Sequence, residues 1–146
     1  MGALLSMQLI DTNVLIHYYD KSDNTKHQIA QQIVDKAWQK QIEYAISVQN
    51  LSEFFNATTA KGKLDKEQAD KIVRRFTEFS YWHVFPITEA SVRLATGLAV
   101  TCKAPFFDIL IAAVMKENGI HEIITENEKD FENIPGIKVI NPFKKK

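Results

Sequence analysis

The run APFFDILIAAVM at positions 104–115 constrains this chain more than any other stretch. It is apolar on every helical face except at Asp108. A helix that is apolar all round must be covered on all sides, so the rest of the chain has to build layers around it. Pro105 at the start and Gly119 at the end bound a helix over 105–118. The lone acid then needs a partner. An unpaired buried carboxylate costs several kcal/mol, whereas the helix dipole returns only about 0.3–1 kcal/mol to an acid in the first turn. A metal ion or a basic group explains Asp108 better than a purely structural N-terminal role.

The remaining apolar patterning supplies the layers. Short strands are expected over 7–10, 42–46, 82–87, 122–125 and 137–140. Helical spacing falls between them, over 14–19 with Asn13 as cap, 25–40 with Thr25 as cap, 47–60, 65–79 and 88–101. Strands alternating with helices make βαβ units. The expected fold is therefore α/β, a three-layer α/β/α sandwich around a central, mostly parallel sheet of about five strands. Residues 1–146 form one domain, since no Gly-, Pro- or Ser-rich linker and no repeat interrupts the pattern.

Charge narrows the function. Eighteen Lys and Arg balance eighteen Asp and Glu, with a sequence pI near 6.9, which excludes attachment to nucleic acid by gross positive charge. One cysteine, Cys102, excludes an internal disulfide and a cysteine zinc cluster and fits a reducing cytoplasm. Met7 serves equally well as Met1 for the natural start, with residues 1–6 then an extension. They lack the basic start of a signal peptide and the length of a membrane helix. Met1-Gly2 with Ser6 matches a myristoylation pattern, but the segment runs straight into a strand. No membrane attachment is expected, and the lysines at 144–146 read as a disordered tail.

Parallel sheets bind ligands beyond the carboxyl ends of their strands, where strand order reverses. The polar residues expected there are Asp11, Glu53, and the pair Asn127 and Asp130. Each also has a plainer reading. Asp11 serves equally as a turn or capping carboxylate. On the 47–60 helix the apolar stripe is Val48, Leu51, Phe54, Phe55 and Thr58, which leaves Glu53 facing either solvent or the crevice. The 126–131 segment reads equally as a polar loop. None of the four histidines sits in an HExxH pair, and the chain contains no Walker loop, GxGxxG or GxSxG.

In chain order, Leu9-Ile10-Asp11-Thr12-Asn13, Ile46-Ser47-Val48 with Leu51-Ser52-Glu53, Pro105-Phe106-Phe107-Asp108, and Thr125-Glu126-Asn127 with Lys129-Asp130-Phe131 resemble a PIN domain. That small metal-dependent nuclease fold includes the VapC-type toxins, and the resemblance runs from Met7 to Pro142. It implies RNA phosphodiester hydrolysis, with Asp11, Glu53 and Asp108 converging on Mg²⁺ or Mn²⁺. Thr12, Asn13 and Thr125 would support them. The family's fourth acid falls here on Asn127, an amide, and Asp130 fits a second acidic position of the same segment. The resemblance further implies a small antitoxin partner and a homodimer, for which Leu64, Ile72, Val73, Phe76 and Phe79 offer a face. Lys61, Lys63, Arg74, Arg75 and Lys103 are candidates for holding RNA. Two rival readings remain at this point. One is a PIN-like RNA- or protein-binding domain without catalysis. The other is a phosphatase with Asp11 as nucleophile, although Thr12 and Asn13 stand where a second aspartate would be required.

Overall fold

A computed structural model describes residues 7–144. The expectations for residues 1–6, and for residues 145–146 of the lysine tail, lie outside the described residues. Five strands, β1 (Gln8–Ile10), β2 (Tyr44–Ser47), β3 (Trp82–Phe85), β4 (Glu122–Ile124) and β5 (Lys138–Ile140), form one parallel sheet in the order β3-β2-β1-β4-β5. Seven helices accompany them among the described residues: α1 (Thr12–Tyr19), α2 (Asn24–Trp38), α3 (Val48–Ala60), α4 (Lys66–Glu78), α5 (Glu89–Ala99), α6 (Phe106–Glu117) and α7 (Glu128–Glu132).

The strands are short, but both faces of the sheet are covered. Leu9 pairs with Ala45 and Ile123, and these three point toward a core built on α5, α6 and Phe131 of α7. Their neighbours Ile10, Ile46 and Ile124 point the other way, into a core built on α1, α2, α3 and α4. Alternation along three central strands thus sorts the chain into the three expected layers. Trp38, Phe76 and Trp82 pack ring against ring in the second core, with centroids 4.9–5.7 Å apart. Phe76 is fully buried, and Leu64, Ile72, Val73 and Phe79 pack against that core. Of the residues expected to offer a dimer face, Phe76 belongs to the core and the other four are part-exposed at its edge.

Caps locate the helix starts. Ser47, Asp65 and Thr88 each close a reciprocal capping box at α3, α4 and α5. Two expected caps move. Asp11, not Asn13, caps α1, and Asp23, not Thr25, caps α2, because each carboxylate accepts a backbone N–H of the helix's own first turn. Helix α6 ends before Gly119, whose φ of +71° suits the left-handed closing residue. Lys144, assigned to a disordered tail, lies 3.3 Å from the Glu128 carboxylate. No helix is long and apolar enough to cross a membrane among the described residues.

Strand order reverses beside β1. The chain leaves β1 toward β2 and β3, then returns to place β4 on the other side. The crevice at the carboxyl ends of β1 and β4 is where an open parallel sheet exposes its loops and helix N-termini to a ligand.

Candidate active site

Asp11 is the first residue beyond β1 and stands at that crevice, its N–H bonded to the Ile124 carbonyl at 3.0 Å. Its side chain is 6% exposed. Four donors surround it. Oδ1 accepts from the Thr12 N–H at 2.8 Å and from Asn50 Nδ2 at 3.2 Å. Oδ2 accepts from Thr125 Oγ1 at 2.7 Å and from Asn13 Nδ2 at 3.3 Å. Burial nonetheless dominates and pushes the carboxyl up to about 6, against the hydrogen bonds that lower it and with the Glu53 charge adding to the rise.

The other expected residues gather around the same opening. Asp11, Thr12, Asn13, Glu53, Asp108 and Asn127 line one open cleft of about 400 Å³, with Ile16, Asn56 and Ala57 completing its wall. Glu53 accepts from Thr12 Oγ1 at 2.7 Å and from Gln49 Nε2 at 3.1 Å. Asp108 accepts from Asn127 Nδ2 at 3.1 Å. Burial first, then the charges of Asp11, Asp130 and Glu53, push Asp108 up to about 6 as well. Asp130 is half-buried on α7 and does not line the cleft, but its charge reaches Asp108. Thr125 donates to Asp11 and accepts from Asn13 Nδ2 and the Asn127 N–H, so it ties β4 to β1.

As placed, no three His, Cys, Asp or Glu side chains close around one point among the described residues. Asp11, Glu53 and Asp108 each accept hydrogen bonds from their own donors. The donor set suits a hard divalent ion, since every polar group lining the cleft is a carboxylate, hydroxyl or amide. Mg²⁺ in particular binds through one or two carboxylates, with water and substrate phosphate filling the rest.

Two site residues escaped the sequence reading. Asn50 is fully buried and links four groups, accepting from the Ser47 N–H and hydroxyl and donating to Asp11 and to Thr12 Oγ1 at 3.1 Å. Gln49 is also buried and bridges Glu53 to the Phe107 carbonyl. The expected apolar stripe counted Val48 and Phe55, yet Val48 is 37% exposed, and α3 is rotated so that its amides face the site. That rotation also brings Glu53 to the cleft rather than to open solvent. Of the expected RNA-holding residues, Lys63 pairs with Asp20 at 2.6 Å, Arg74 with Asp70 at 3.0 Å, and Arg75 lies over the Trp38 ring; Lys61 and Lys103 stay exposed.

Asn50→Ala is expected to cost about 2 kcal/mol, because it strands the buried Ser47 N–H and removes a donor from Asp11. Thermal unfolding in the absence of metal should show a melting temperature roughly 5 °C lower. A change within about 0.5 kcal/mol would mean that water replaces the amide.

Comparison with known proteins agrees with this architecture. The PIN domain family pattern matches residues 9–137. A search of curated proteins finds no match. Among solved structures, a toxin–antitoxin complex from Klebsiella pneumoniae aligns with a TM-score of 0.66 at 25% identity, covering 93% of this chain and 98% of that one. VapBC-1 from nontypeable Haemophilus influenzae aligns at 0.67 and 21% identity, covering 94% and 99%. Mycobacterium tuberculosis VapC20, a sarcin-ricin loop cleaving toxin, aligns at 0.62 and 17%, covering 79% and 85%. With its site at the switch point of a five-stranded parallel sheet and the family pattern spanning most of its length, this chain belongs to the PIN domain family.

Proposed function

We propose that this protein is a divalent-metal-dependent endoribonuclease and acts in the cytoplasm as the toxin of a toxin–antitoxin pair. The observation that carries the reading is the pair of carboxyls, Asp11 and Asp108, both pushed up to about 6 beside Glu53 in one open cleft. Acids crowded this way at a ligand crevice bind a cation more readily than isolated surface acids do. The similarity to solved toxin–antitoxin complexes supports the biological setting.

Asp11, Asp108 and Glu53 would hold Mg²⁺ or Mn²⁺, with Asn127 contributing an oxygen at the edge and Asp130 only its charge. When bound, the ion supplies charge neutralisation at the scissile phosphate and a water of lowered pKa. The chain supplies the positioning. Thr125, Asn13, Asn50 and the Thr12 N–H fix both oxygens of Asp11, and Thr12 Oγ1 fixes one oxygen of Glu53. Asn127 orients Asp108 but brings no charge. Asp130 adds its negative charge near Asp108.

Cleavage of single-stranded RNA by the purified chain should require Mn²⁺ or Mg²⁺, stop with a chelator, and be lost in Asp11→Asn. Asn127→Asp should lower the metal concentration for half-maximal cleavage about tenfold, and Asp130→Asn should raise it. Both act on Asp108, so the double variant should not show the sum. A folded chain that cuts no RNA at any metal concentration would leave the non-catalytic binding reading in its place.

A further inference from the structure

The first turn of α6 departs from the rest of its helix. Ile109 through Met115 are all buried, whereas Phe106 is 36% exposed and Phe107 is 62% exposed. A ring left in water forfeits most of the gain that burial brings to a side chain of its size. Position matters here. Phe107 is one peptide from Asp108, about 3.8 Å between Cα atoms, which puts its backbone beside the acidic cleft while its ring lies outside the cleft lining. Its backbone is held there, because the carbonyl accepts from Gln49 Nε2 at 3.0 Å and the same amide donates to Glu53 at 3.1 Å. Phe106 meets the ring edge to face, at 5.5 Å between centroids and 75° between planes.

No Lys or Arg lines the cleft, although Lys61 and Lys103 are exposed elsewhere on the surface. The chain has no net charge, and Lys63, Arg74 and Arg75 are engaged within the fold. Beside three carboxylates, an attraction that does not depend on charge adds to what a bound cation supplies in holding a polyanion. Stacking of a base on an aromatic ring is such an attraction, and every base has a face that can use it.

We propose that Phe107, backed by Phe106, is the stacking platform for an unpaired base of single-stranded RNA next to the phosphate that enters the cleft; this rests on the nuclease reading above. The platform selects against duplexes, whose bases are already stacked and turned inward.

Phe107→Trp places a reporter beside the cleft, while Trp38 and Trp82 lie packed together in the core. In the full chain without metal, single-stranded RNA should quench the added indole and a duplex of the same sequence should not. With Mn²⁺, Phe107→Ala and Phe107→Leu should raise KM roughly 5- to 100-fold with kcat little changed, and Phe107→Trp should retain the parent value. An RNA lacking the base beside the cut site should lose the difference between the parent and Phe107→Ala. Full activity in the Leu variant would overturn stacking, and so would an unchanged KM in the Ala variant. A KM change that tracks dissociation of an oligomer in sedimentation would make Phe107 a protein contact instead. A parent chain that neither binds nor cuts RNA removes the nuclease reading and this inference together. A parent that cuts RNA beside an unaffected Phe107→Ala removes the inference alone.

Discussion

Asp108→Asn should abolish cleavage while leaving the metal-free protein at least as stable as the parent. The substitution removes a carboxylate that Asp11, Asp130 and Glu53 all repel, and it keeps an oxygen for the Asn127 amide to meet. Asp108 is half-buried, so solvent screens part of that repulsion and the gain is about 1 kcal/mol. For a domain of this size the melting temperature should rise by roughly 2–4 °C. Activity should fall at least 100-fold, beyond the ~10–100-fold that loss of an indirect metal contact costs. Opposite signs in one variant separate a functional acid from a structural one. A large loss of stability would identify Asp108 as a paired core charge.

The pH dependence of stability is the second large effect, and it follows from Asp11. Its carboxyl titrates near 6 in the folded chain against an ordinary value of 3.8, so the native state holds the extra proton between those values. Stability from this group is complete below about pH 4 and is lost as pH rises through 6. Two pKa units at about 1.4 kcal/mol each give roughly 3 kcal/mol lost by pH 7. Asp108 adds to the loss in the same direction. Asp20, lowered by Lys63, and Glu126, whose carboxyl accepts from Lys26 and His17, work the other way and weaken the fold as pH falls toward their own titration. The metal-free chain should therefore be most stable near pH 5, and Mg²⁺ or Mn²⁺ should flatten the decline above it. Denaturant unfolding from pH 4.5 to 7.5, with chelator and with metal, checks both statements. A steady rise of stability to pH 7 in chelator would mean that Asp11 is not buried as a charge.

The layers and the sheet were legible because alternation in three central strands and the apolar run at 109–115 leave few other ways to cover both faces. The acids at 11 and 108 were legible for a related reason, since each interrupts an apolar segment where a polar group is costly. Glu53 was not, because a helical stripe scored on hydrophobicity alone ignores buried amides. Asn50 and Gln49 are held inward by hydrogen bonds to partners far along the chain, and periodicity carries no trace of such partners. The same blindness placed Phe106 and Phe107 inside a buried helix, although both rings in its first turn are exposed. Helix α7 has five residues, too few to show any period. Asp11 shows why the plain and the functional readings were hard to part, because one carboxylate both caps α1 and faces the cleft.

The cleft draws on segments spread from Asp11 to Asn127, and β4 has to join β1 before Thr125 meets Asp11. A growing chain on the ribosome has synthesised most of its length before Asp108 and Asn127 exist. Until β4 has left the exit tunnel and docked, the acids at 11 and 53 face water without the rest of the set. The cleft is therefore assembled only once the chain through β4 is free to dock, which makes it one of the last features of the fold to form.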